Sequence, residues 1–205
     1  MKNTKPNHAE IIRQIVEGNQ EFISKNHQDY FLSHSKSQNP FITLLTCSDS
    51  RVQTNAILPD SINKIFTIEN IGNQILSSEG SVDYGILHLK TPVLLILGHS
   101  DCGAVKAFMD GYESEPKSIK HELDFLKDVN LNLDENSSDF EERLLQNSLK
   151  NIDYQVSIAL KKYSEKIKNN ELSIIGAFYD FKNELNKGFG KLSIVNINGK
   201  KENLE

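Results

Sequence analysis

Cysteine is nearly absent from this chain: two residues in 205, at positions 47 and 102. That excludes a disulfide framework and leaves two thiols whose use requires a reducing compartment. No apolar run approaches the roughly 18 residues that span a bilayer, so no membrane partner is expected. The opening MKNTKPNHAEIIRQ lacks the continuous apolar stretch of a secretory signal, and the chain reads as cytoplasmic. Positive charge is not in excess either. Lys and Arg number 23 against 28 Asp and Glu, for a net charge of -5, so the basic stripe of a nucleic-acid binder is missing. Neither an internal repeat nor a boundary between two domains is visible. What remains, 38% hydrophobic and 25% charged residues over 205 positions, suits one globular domain, 1–205, with a substantial core.

The apolar residues that are present fall into two patterns. Ile11, Ile12, Ile15, Val16 and Phe22 recur at helical spacing and predict a helix from about 8 to 25, with a possible break at Gly18-Asn19. The polar stretch after it reads as a loop. Short apolar runs follow: FITLL ending at Cys47, KIFTI ending at ENIGN, VLLILG ending at His99, then LSIIGAFY and LSIVNI. The first three are continuous, as in strands buried on both faces. Helical patterns separate them, including SVDYGILHL, CGAVKAFM and a long segment, 139–168, with Leu145, Leu149, Ile152, Val156, Ala159 and Tyr163 on one face. The polar stretch from Met109 to Ser138 holds a short helix between loops. Strands alternating with helices predict an α/β fold around a mostly parallel central sheet flanked by helices.

Two of the buried strands end in metal-ligand residues. Ligands of open α/β sheets bind beyond the carboxyl ends of the strands, so Cys47, His99 and Cys102 can meet at one rim. Two sulfurs and an imidazole nitrogen suit tetrahedral zinc, and three protein ligands leave a fourth position open for chemistry. Each residue also has a plainer reading. Free cysteines are often buried small hydrophobes; a strand-end histidine is often just hydrogen-bonded; Asp49 with Arg51 would make a turn-stabilising ion pair. The concentration of all five at two strand ends favours the metal reading.

The pair CSDSR and HSDCG resembles the β-class carbonic anhydrases, whose pattern is Cys-x-Asp-x-Arg followed by His-x-x-Cys. EGNQEF, NKIFTIENIGN, SSEGSVDYGILHLKTPVLLILGHSDCGAVKAF and IIGAFYDF are similar to further stretches of that family, so the resemblance covers most of the chain. Glu69 and Ile71 depart from it, standing where the family usually has arginine and alanine. The chain has no tryptophan, so the inhibitory bicarbonate pocket of one subgroup, which uses that residue, does not carry over.

The resemblance implies a zinc enzyme that reversibly hydrates carbon dioxide to bicarbonate and a proton. It implies Cys47, His99 and Cys102 as zinc ligands and Asp49 and Arg51 as the catalytic pair. Asp49 would join the metal only in a closed state, favoured at lower pH; otherwise Arg51 holds it away. It also implies a homodimer or dimer of dimers, with the first helix as an arm reaching across the dimer. Phe66, Ile71 and Val105 are candidate pocket walls, although core packing accounts for each. Ser48, Ser50, Ser100 and Asp101 are expected to supply hydrogen bonds around the ligands or to cap helices, and His88 to be a surface or packing residue. Two alternatives stay open: a hydrolase of the same fold acting on another small substrate such as carbon disulfide, and a zinc-binding protein without turnover.

Overall fold

The structure is a computed structural model that describes residues 6–134 and 139–202. The chain divides into two compact units, 1–38 and 39–205. In the first, α1 (His8–Lys25) runs unbroken through Gly18-Asn19, capped by the Asn7 side chain, which accepts from the Glu10 amide. Its apolar stripe is present, and none of its residues is buried. The stretch read as a loop contains a short helix, α2 (Gln28–Ser33). Edge-on contacts of Phe22 with Tyr30 and Phe31 hold it against α1. Aromatic side chains, invisible to a polarity reading of that stretch, supply the stability there.

The second unit is built on β1 (Ile42–Cys47), β2 (Ile65–Asn70), α3 (Glu79–Asp83), β3 (Val93–His99), α4 (Gly103–Asp110), α5 (Lys117–Asp124), α6 (Phe140–Lys162), α7 (Ser164–Lys168), β4 (Ser173–Asp180), β5 (Lys191–Ile197) and β6 (Lys200–Lys201). The strands form one sheet in the order β2-β1-β3-β4-β5-β6. Pairing is parallel from β2 to β4 and antiparallel from β4 to β6. The parallel core is the mostly parallel sheet that the run-and-helix pattern predicts; the antiparallel β5 and β6 extend it beyond that expectation, and β6 is too short to leave a pattern.

β1 and β3 are buried along almost their whole length. Leu45, Leu94 and Ile96 enter one apolar cluster, while Leu44, Leu95 and Leu97 enter another on the opposite face. Burial on both faces is why these runs are continuous. β2 is different: Thr67 and Glu69 are exposed, because β2 is the edge strand.

Helix α6 lies against β3 and β4 at close range. A Cβ at Gly98 or at Gly176 would stand 2.7 Å from the Ile152 side chain, so both positions must lack one. The buried face of α6 holds most of the stripe read from the sequence, Ile152, Val156 and Ala159, with Tyr163 just past its end. Leu144, Ile152, Val156 and Ala159 are buried, but with Asn147, Asn151 and Gln155 among them, while Leu145 and Leu149 are only half-buried. The helix read to Lys168 also breaks at Tyr163, whose hydroxyl donates to Asp83. The SVDYGILHL segment starts as α3 and closes with a wider turn, the Leu89 amide donating to the Tyr84 carbonyl. His88 there is exposed and stacks on Tyr84. In the 109–138 stretch, the short helix is α5, extended by a tighter turn over Phe125–Val129; positions 135–138 lie outside the described residues.

Candidate metal centre

The strand order fixes where ligands gather. The chain leaves β1 for β2 on one side, then returns for β3 on the other, so connections diverge at the carboxyl ends of β1 and β3. Such a switch point opens a crevice. β1 ends at Cys47 and β3 at His99; the next turn delivers Cys102 immediately before α4. The ligand-type atoms of Cys47, His99 and Cys102 all lie within 4.8 Å of one another, and all three residues are buried.

The donors are oriented as a metal requires. His99 Nδ1 lies 2.8 Å from the Ser100 carbonyl and donates to it, which leaves the lone pair on Nε2. Nε2 is buried and has no hydrogen-bond partner among the described residues, a costly arrangement for a polar atom unless a further group completes it. Ser100 is held in turn: its hydroxyl donates to Asp180 at 3.0 Å, and Asp180 also accepts from the Glu184 and Leu185 amides. Both cysteines are free. The Cys47 thiol is pulled down to about 4, first by Cys102 and against the cost of burial, with the neighbouring His99 assisting. Cys102 moves the opposite way, raised by Cys47 and by burial. A dication bound between the two sulfurs would favour two thiolates. The donor set fits zinc.

Asp49 and Arg51 stand beside this cluster. Arg51 donates from Nε to Asp49 Oδ1 at 2.9 Å and from Nη2 to Oδ2 at 2.7 Å, and its amide adds a third bond to Oδ1 at 2.9 Å. That fork brings the Asp49 carboxyl down to about 2, against partial burial. Arg51 has a second carboxylate partner: Nη1 donates to Asp101 Oδ2 and Nη2 to the Asp101 carbonyl, both at 3.0 Å. Asp101 reaches it with two groups because its backbone is left-handed, at φ +50°. Phe181 completes the seat, with the guanidinium carbon 4.5 Å from its ring centre and the His99 ring stacked at 5.9 Å.

Of the expected polar neighbours, Ser100 and Asp101 have the partners just given. The Ser48 amide donates to the Asn70 carbonyl, and Ser50 uses its carbonyl to accept from Gln53. Among the candidate walls, Val105 is buried in the cluster that packs Cys47 and Cys102 against Leu126 and Leu144, and Phe66 packs on Tyr84. Ile71 is 37% exposed. Sequence reasoning missed Phe181 and the role of Asp180, although the IIGAFYDF stretch contains both.

A model of the family described as carbonic anhydrase matches residues 42–186, which takes in both turns and β1 through β4. The chain belongs to the carbonic anhydrase family. A carbonic anhydrase of Synechococcus elongatus is 34% identical over 108 residues, 48% of this chain; the match spans only 40% of the cyanobacterial protein's length. Carbonic anhydrase 2 of Mycobacterium tuberculosis is 26% identical over 189 residues, covering 87% of this chain and 90% of that one. The fold is that of the β-class. A β-carbonic anhydrase of Sordaria macrospora, described as tetrameric, superposes with a TM-score of 0.79 at 23% identity, over 92% of this chain and 98% of that one. One of Aspergillus fumigatus gives 0.75 at 23% identity, over 90% of each chain.

Proposed function

We propose that this carbonic anhydrase family member binds one zinc ion through Cys47, His99 and Cys102 and catalyses the reversible hydration of carbon dioxide to bicarbonate and a proton. The observation that carries the reading is the unpartnered Nε2 of His99, converging with two sulfurs while Arg51 holds Asp49 aside. Zinc bound there supplies a Lewis acid that makes hydroxide available near neutral pH. The chain's own residues do the rest. Two thiolates neutralise a dication, so further charge stabilisation falls to the neighbouring side chains. Asp49 stays ionised in the Arg51 fork, and Oδ2, which accepts only from Nη2, keeps a lone pair for a hydrogen bond that orients the attacking oxygen. Arg51 fixes that carboxylate and keeps it from occupying the fourth position itself. In a closed state Asp49 would exchange Arg51 for the metal.

The active form in this reading is a homodimer or dimer of dimers, with unit 1–38 as the arm. The tetrameric Sordaria relative and the unburied apolar stripe of α1 support it. Paired thiols serving as ligands suit the reducing cytoplasm. Glu69 and Ile71, exposed on β2 and just after it, depart from the family pattern beside the centre and favour a second reading, a zinc-binding protein without turnover. Stopped-flow hydration on protein of measured metal content tests the proposal. One zinc per chain with catalysed hydration is expected. Full zinc without hydration would sink it and install the second reading, and turnover of carbon disulfide instead would point to a same-fold hydrolase.

A further inference from the structure

A third strand end reaches the rim that carries the donors. β1, β3 and β4 run parallel, and Tyr179 of β4 is the register partner of His99. The chain leaves β4 through Asp180 into Phe181, and that exit is fixed on several sides. Asp180 is fully buried. Its carboxylate accepts from the Ser100 hydroxyl at 3.0 Å and from the Glu184 and Leu185 amides at 2.9 and 2.8 Å. Its carbonyl accepts from the Gly190 amide at 2.7 Å, and the Ser100 amide donates to the Tyr179 carbonyl at 3.1 Å. The Phe181 ring is therefore delivered to a set place. The Tyr179 ring meets it edge-on and the His99 ring stacks against it, each with its centre 5.9 Å away.

That ring faces Arg51. The guanidinium carbon stands 4.5 Å from the ring centre, inside the ~6 Å over which an aromatic face holds a cation. The contact restrains a direction that the hydrogen bonds leave open. A guanidinium is planar, and its five N–H groups all point outward in that plane. Four of them are used here, two on Asp49 and two on Asp101. Bonds made at the edge fix the group within its plane and resist tilting only weakly. The Arg51 side chain is also 44% exposed, so water competes for those bonds. A ring on the face opposes tilting and keeps water from one side.

We infer that Phe181 is a positioning residue for the reaction proposed above: its ring holds the plane of the Arg51 guanidinium, so that the fork keeps Asp49 off the fourth metal position. The inference rests on that reading of the centre. It requires an aromatic face at position 181, which a bulky aliphatic side chain does not supply.

The test compares Phe181→Leu with Phe181→Tyr in the zinc-loaded full chain. Losing the face should lower kcat for hydration ~2–5-fold, the factor that a cation–aromatic contact at a half-exposed site supplies, while KM and zinc content hold. Phe181→Tyr, which keeps the face, should recover the lost rate. Proton NMR of the arginine side chains gives a readout independent of turnover. The chain has three arginines, at 13, 51 and 143, and Arg51→Lys assigns the Arg51 Nε–H signal. A proton near a ring face is shielded, so that signal should stand upfield of its place in Phe181→Leu, and its exchange with water should quicken in the leucine variant. Phe181→Met, adaptable in shape and without a ring, carries the test if Phe181→Leu fails to fold. An Nε–H signal that does not move would overturn the inference. So would a leucine variant with wild-type kcat, or a tyrosine variant as slow as the leucine one. A raised KM with unchanged kcat would overturn it too, since Phe181 would then line the substrate pocket instead of holding Arg51. A wild type that keeps zinc and hydrates nothing would instead overturn the reading beneath it, with the Arg51 signal still reporting on the ring.

Discussion

The two turns of the centre, 47–51 and 99–102, both contain the dipeptide Ser-Asp, and both aspartates bind Arg51. They are not equivalent. Asp49 accepts three N–H groups of one arginine across both carboxylate oxygens and is 15% exposed; Asp101 accepts one with its carboxylate and is 32% exposed. Asp101 gives Arg51 its backbone carbonyl as well, whereas the Asp49 carbonyl accepts from the Val52 amide. The difference teaches that a shared sequence fragment acquires its role from the direction of its backbone. The left-handed Asp101 faces its arginine from outside, whereas Asp49 is fixed by a bidentate fork. Only Asp49 has the geometry of a group held in readiness beside the donors.

Each turn also supplies donors, and removing one from either turn should have the largest effect. Cys47→Ser and Cys102→Ser should each lose zinc affinity beyond the ~10–100-fold typical of outer partners, while Ser100→Ala retains zinc; elemental analysis after dialysis decides. Next is Arg51→Ala. It releases Asp49 but leaves the donors intact, so hydration should fall on the order of a hundredfold with zinc still bound. Near-normal rates would reduce the Asp49–Arg51 pair to a structural bridge. Asp101→Asn sharpens the contrast, because it keeps an acceptor and removes only a half-exposed charge. Such pairs contribute ~0.2–1 kcal/mol, so the rate should change no more than about fivefold. A loss equal to that of Arg51→Ala would erase the distinction between the two aspartates.

The smallest effect concerns acid stability of the metal-free protein. The Asp49 carboxyl sits at about 2 rather than the ordinary 3.8. A depressed carboxyl adds stability above its unfolded value and loses it as pH falls through the folded one. Relative to Asp49→Asn, the wild type should therefore lose ~1 kcal/mol, after solvent screening, between about pH 4 and pH 2. Parallel denaturation curves over that range would show the fork to be energetically silent.

Much of this was legible in the residues. Apolar runs located all the longer strands, and for β1 and β3 burial on both faces leaves no other composition; the donors were legible because cysteine is so scarce. Other features were not. The edge position of β2 depends on sheet order, which no single run encodes, so its exposed Thr67 and Glu69 were unforeseen. The amides on the buried face of α6 went unread because Asn147, Asn151 and Gln155 do not enter a count of apolar residues. Yet those three amides recur at helical spacing on the stripe of Leu144, Ile152 and Val156, and that recurrence was the available signal. The second partner of Arg51 depended on the left-handed backbone of Asp101, which a short polar turn does not announce.

The parallel adjacency of β1 and β3 has a thermodynamic consequence. Cys47 and His99 are 52 residues apart in sequence and become neighbours only when those strands pair. An unfolded chain that gathered the same donors would have to close that loop unaided, at a cost of ~3.5 kcal/mol or more. A metal ion thus discriminates sharply between native and denatured chains. At a thousand times its dissociation constant it would deepen the native well by ~4.1 kcal/mol with little competing gain for the unfolded state. An ion held there would act as a latch on a finished fold, and melting temperature should then track free zinc.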